Sequence, residues 1–185
     1  MRIERKIRGF TLIELLIVLG IMAVMGAGMY LVYGNVMTSQ RTNAEVNNMN
    51  ILKSGIENFY STSPTGYGAD GTDITGIIAK SSIPTASMVK EVSGTKTLIN
   101  AFGNNYKIES VGGANFQISM EIPRAACDKV GKAAANLWAA LAIDNNSIKD
   151  PGTTSYDVND IIDACSNADE TVEIKMLAND NVPLM

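Results

Sequence analysis

The sequence predicts an α+β protein: a long N-terminal helical spine, hydrophobic in its first half, packs by its second half on an antiparallel β-sheet, and a C-terminal region carries both cysteines. Three observations lead there. No proline occurs before Pro64, and the apolar residues up to that point change from a continuous run to a spacing of three and four. Two later segments alternate apolar and polar residues with the period of a strand. Two stretches with helical spacing lie between those strands.

From Phe10 to Tyr33 the chain is almost wholly apolar, interrupted by Thr11, Glu14 and a few glycines. Roughly 24 such residues suffice to span a bilayer as a helix, whereas a secretory signal peptide has a shorter apolar core and a small-x-small cleavage site. Beyond the run, Val46, Met49, Leu52, Ile56 and Phe59 continue one apolar stripe, and Asn43, Glu45, Asn47, Asn50, Lys53 and Glu57 are expected on the polar face. A single helix from Phe10 to Tyr60 would be about 75 Å long at about 1.5 Å per residue. Gly20, Gly26, Gly28 and Gly34 each weaken it by about 1 kcal/mol relative to alanine, and small residues also let helices approach closely in membranes. Local melting within an assembly is expected to start at Gly26 to Gly28.

Arg2, Arg5, Lys6 and Arg8 stand before the run, opposed only by Glu4, and the first charge after it is Arg41. The positive-inside rule therefore places residue 1 in the cytoplasm and the rest of the chain beyond the inner membrane, where a disulfide can persist. The expected division is residues 1–9 as a basic leader, 10–34 as a membrane-spanning half-helix, and 35–185 as an exported globular head.

Glu14 is out of place in this run. A carboxylate in an apolar helix costs about 2.5 to 3.5 kcal/mol on insertion scales, so it either serves a function or sits close enough to the cytoplasmic interface to stay hydrated. The residues Arg8-Gly9-Phe10-Thr11-Leu12-Ile13-Glu14, followed by Leu-Leu-Ile-Val, resemble the processing site of type IV prepilins and related pseudopilins. That resemblance implies a prepilin peptidase that cuts after Gly9 and N-methylates Phe10. Cleavage would create an ammonium on Phe10 at i, i+4 spacing from Glu14, and in a low dielectric such charges attract far more strongly than in water. The resemblance further implies that Phe10 and Glu14 of neighbouring subunits pair to set register in a helical homo-oligomer. An inner-membrane assembly platform would build it, and the filament would end outside the cell.

Residues 61–95 are rich in Ser, Thr and Gly, with Pro64 and Pro84, and read as a long loop. Asp70 and Asp73 flank a glycine there, too incomplete a set for a calcium loop. Residues 115–122 read as a strand with one buried face, carrying Phe116, Ile118, Met120 and Ile122. Tyr106 to Val111 read as its hairpin partner across Gly112 and Gly113. Val172, Ile174 and Met176 mark another strand, for an antiparallel sheet of three to five strands. Helices are expected over 124–143, opened by Pro123, and over 156–165.

Cys127 and Cys165 cannot make a zinc site in a chain without histidine, so they read as one disulfide tying those helices together; a pair of buried reduced thiols is the alternative. The bridge corresponds to the C-terminal disulfide region of type IV pilins. In body organisation the chain resembles type IVb pilins such as bundle-forming or conjugative thin-pilus subunits, while its short leader and Phe10 resemble type IVa.

The absence of histidine also removes the commonest general base, and no cysteine-base pair or glycine-rich phosphate loop replaces it. No catalytic residue, metal or other cofactor is expected. A net charge of -4 with dispersed Lys and Arg argues against nucleic-acid binding. The expected function is a structural filament subunit, with a minor pilin or secretion pseudopilin as an alternative in the same family. A monomeric membrane-tethered binding domain is the alternative of another class.

Overall fold

A stretch rich in helix formers and free of proline forms α1, Leu12–Tyr60, an unbroken helix of 49 residues. The computed structural model describes residues 11–179 apart from Asn145, and the side chains of residues 29–35 also lie outside what it describes. The chain divides into two compact units, Met1–Met37 and Thr38–Met185.

In the first unit, Leu12, Ile13, Leu15, Leu16, Ile17, Val18, Leu19 and Ile21 are all exposed, so the helix is hydrocarbon on every side. A helix of that kind has no face suited to water and belongs in an apolar surrounding. Among the described residues no helix is long and apolar enough to cross a membrane. The span expected over 10–34 includes Phe10 and the side chains from residue 29 onward, which lie outside the described residues.

The second unit, the head, contains the rest of α1 and then α2 (Thr75–Lys80), β1 (Val89–Val92), β2 (Thr95–Leu98), β3 (Tyr106–Val111), β4 (Asn115–Pro123) and α3 (Arg124–Leu137). β5 (Ala140–Ile143), β6 (Asn146–Lys149), α4 (Val158–Asn167) and β7 (Thr171–Leu177) complete it. β1 and β2 form a separate hairpin, and the other five strands make one sheet in the order β3-β4-β7-β5-β6 with every neighbouring pair antiparallel. Ile118 of β4 lies between Ile108 of β3 and Met176 of β7, and Met120 lies between Tyr106 and Ile174. This face joins Met49, Leu52 and Ile56 of α1 and Val130 and Trp138 of the α3 region in the main core.

The buried face of α1 is Thr42, Glu45, Asn48, Met49, Leu52 and Ile56. This corrects two expectations. Glu45 is fully buried rather than on the polar face, and Phe59 stays 50% exposed rather than closing the apolar stripe. The strip is defined by what packs on it, and its N-terminal part is polar because the head supplies hydrogen-bonding partners there. Lys53 also turns inward: its Nζ donates to the Leu137 carbonyl at 2.6 Å and lies 5.5 Å from the Trp138 ring centroid. Lys149 Nζ donates to Ala135 and Trp138 carbonyls at 2.9 and 2.8 Å, so two ammonium groups satisfy the C-terminal carbonyls of α3.

The helix expected over 124–143 ends at Leu137, where Trp138 turns extended, and residues 140–143 form β5 instead. All four β5 residues are buried with β7 and β6 on either side, so the segment shows no alternation to read. β4 was expected to bury one face, yet Gln117 and Ser119 are buried as well. A small second cluster, Val111, Ala140 and Leu177, lies on that other face. The segment read as loop holds α2, β1 and the start of the β1–β2 hairpin. α4 starts slightly later than expected because the Asp157 side chain caps it, accepting from the Asn159 amide at 2.8 Å.

Cys127 of α3 and Cys165 of α4 are joined in a disulfide with their Cα atoms 5.8 Å apart. A Cβ added at Gly131 would sit 3.1 Å from Ile161 Cγ2 and 3.2 Å from Ile143 Cδ1, so α3 approaches α4 and β5 as closely as a glycine allows.

Candidate processing and assembly site

Gly9 and Phe10 lie outside the described residues. Immediately after them, Thr11 precedes α1 and its Oγ1 accepts from the Glu14 amide at 3.3 Å, while its carbonyl accepts from the Leu15 amide at 3.2 Å. Thr11 is thus the helix cap, and Thr11-Leu12-Ile13-Glu14 has the spacing of a capping box, a signal the sequence reading passed over. Glu14 falls in the first turn, where the positive end of the helix dipole favours a carboxylate. Its side chain is exposed, flanked by exposed Ile13, Leu15 and Ile17, and no ion pair to it is present among the described residues. Local capping explains why an acidic residue is tolerated at the helix start. It does not explain hydrocarbon on every other side.

The head has a buried polar centre that the sequence reading missed. Glu45 Oε2 accepts from the Ala101 amide at 2.8 Å, Oε1 accepts from the Tyr106 hydroxyl, and Asn48 contributes a further hydrogen bond. Burial pushes the Glu45 carboxyl above its ordinary value, against the opposing pull of those hydrogen bonds. Burial and the neighbouring carboxylate together raise the Tyr106 phenol well above its own. Ala101 belongs to a loop organised by Asn100, whose Oδ1 accepts from the Phe102 and Asn104 amides at 3.0 Å each and whose Nδ2 donates to the Glu121 carbonyl at 2.7 Å. The arrangement fastens α1 to the turn before β3.

Asp70 and Asp73 are engaged in backbone contacts rather than gathered around a common point. Asp70 accepts from the Gly112 amide at 2.6 Å and Asp73 from the Thr75 amide at 2.8 Å. Cys127 and Cys165 meet as expected, on the far side of the chain's sequence from the Gly9 to Glu14 motif.

Comparison with known proteins yields three findings. Residues 39–177 match the family model described as PilS N terminal, and residues 5–30 match the prokaryotic N-terminal methylation motif. Among solved structures, the crystal structure of TcpA, a type IV pilin from Vibrio cholerae El Tor biotype, is similar with a TM-score of 0.50 at 14% identity. The alignment covers 76% of this chain and 99% of that one. No curated protein matches the chain.

Proposed function

Because the chain belongs to the PilS family and has the type IV pilin fold, we propose that it is the structural subunit of a type IV pilus, made as a single-pass inner-membrane precursor. Prepilin peptidase cuts it after Gly9 and methylates Phe10. The assembly platform then stacks the hydrophobic halves of α1 into a filament core, leaving the heads outside. The chain acts by assembling, without catalytic residues, metal or other cofactor.

The observation that carries this reading is Glu14. It is an acid with no ion pair among the described residues, set among exposed apolar side chains at the start of α1, directly behind the Arg8-Gly9-Phe10 sequence and within the segment that matches the methylation motif. A fresh ammonium at Phe10 supplies the counter-charge, and bundling of like helices covers the apolar surface. The test is to shear surface fibres from cells and weigh their main subunit. The expected mass corresponds to a chain starting at methylated Phe10. A fibre subunit that retains Met1, or the absence of the chain from fibres, overturns the proposal.

A further inference from the structure

One groove and one ridge on the head each combine exposed apolar surface with a charge, of opposite sign in the two. The groove, about 460 Å3, runs between α1 and the turn that Glu45 holds, and Arg41, Ala44, Asn48, Ile99, Ala101 and Phe102 line it. Its lining is mainly apolar, with Arg41 as its one ionised group; the nearby carboxyl of Glu45 is buried beneath it and already occupied by Ala101 and Tyr106. The ridge is the outer face of α4. Ile161, Ala164 and Cys165 are buried, which turns Val158 (41% exposed), Ile162 (44% exposed) and Asp163 outward. Val158 and Ile162 stand one turn apart, and Asp163 follows directly. Neither Arg41 nor Asp163 has an ion pair among the described residues.

We infer that the outer face of α4 in one subunit docks into the α1 groove of a second copy, with Val158 and Ile162 against Ala44, Ile99 and Phe102, and Asp163 against Arg41. The occupant is a second copy because apolar surface and opposite charge sit on two different patches of one chain. Such a contact is heterologous: each subunit offers a ridge to one neighbour and a groove to another, which propagates as an open filament wherever its rotation does not close a ring. Desolvating the aliphatic pair supplies attraction, and the charge pair fixes direction and register. The inference rests on the pilus reading and specifies which surfaces of the heads meet.

The experiment uses the full chain in cells that make the fibres. Asp163→Arg and Arg41→Asp are each expected to lower sheared-fibre yield by at least about tenfold, since each places like charges together, and the double exchange is expected to restore most of it. Both side chains are exposed, so protease resistance of the head should be unchanged. Separately, Ala44→Cys with Ile162→Cys should give an oxidation ladder of multimers from intact fibres, absent with either substitution alone. Wild-type yield in both single reversals, or fibres without a ladder, overturns this interface while leaving the pilus reading in place. A wild-type subunit that stays at precursor mass and never enters fibres overturns the pilus reading itself.

Discussion

Glu45 of the helix and Tyr106 of the sheet, 61 residues apart in sequence, meet inside the head, where the phenol donates its hydrogen bond to the carboxylate. Glu45→Ala strands this hydroxyl and the Ala101 amide without their acceptor, at about 1–3 kcal/mol for each donor left unsatisfied. The contact also makes stability depend on pH. Burial raises the Glu45 pKa above its ordinary 4.5, so the folded chain keeps this proton to higher pH than the unfolded chain does. The resulting stabilisation is fully present below the unfolded value and is lost as pH rises through the folded one. Urea midpoints of the detergent-solubilised chain, followed by fluorescence of its single tryptophan, should fall across that window in the wild type. Glu45→Gln should remove this part of the slope, and parallel wild-type and variant profiles would refute the assignment.

The Cys127–Cys165 bridge closes a loop with a sequence separation of 38. In the chain-entropy model that constraint contributes about 4 kcal/mol. Cys127→Ser with Cys165→Ser should therefore lower the melting temperature of the head markedly, and addition of reductant to the wild-type chain should have the same effect. Equal melting temperatures with and without the bridge would show that it does not stabilise the fold.

Gly55 lies where Ile83 crosses α1, and a Cβ at that position would come within 2.3 Å of Ile83 Cγ2. A β-branched side chain is stiff at χ1, so relief requires Ile83 to leave its preferred rotamer or the local backbone to shift. Gly55→Ala, which in an open helix would stabilise by about 1 kcal/mol, should here destabilise by about 1–3 kcal/mol. Pairing it with Ile83→Ala should recover most of the loss. Gly26→Ala has open space around it and provides the control, with no loss of head stability.

Glu14→Val removes the acid from the apolar half of α1. The expected outcome is normal maturation at Gly9, judged by N-terminal mass, with fibre yield falling to background. Undiminished fibres would show that assembly does not need a charge at this position.

The elements legible in the sequence are those whose apolar residues alternate with polar ones or recur at helical spacing. β3, β4 and β7 announce themselves because Ile118, Met120, Ile174 and Met176 alternate with polar neighbours, and α4 because Ile161 and Cys165 recur one turn apart. β5 was hidden because it is covered on both sides, and Leu-Ala-Ile continues the composition of the helix before it. Glu45 was misplaced for a different reason: local pattern assigns a carboxylate to water, and only the distant Ala101 and Tyr106 make its burial affordable. At the N-terminus, Glu14 stood out because nothing near it in sequence is polar except Thr11. The capping contact between those two was equally readable from their spacing.

β7 is the last strand in sequence among the described residues, yet it lies in the middle of the sheet, hydrogen-bonded to β4 on one side and β5 on the other. Without β7, the other four strands of this sheet form only two separate hairpins, β3–β4 and β5–β6, each with an open edge facing the gap. β7 thus joins the two hairpins, and any chain interrupted upstream of Thr171 presents sticky strand borders in place of a finished surface.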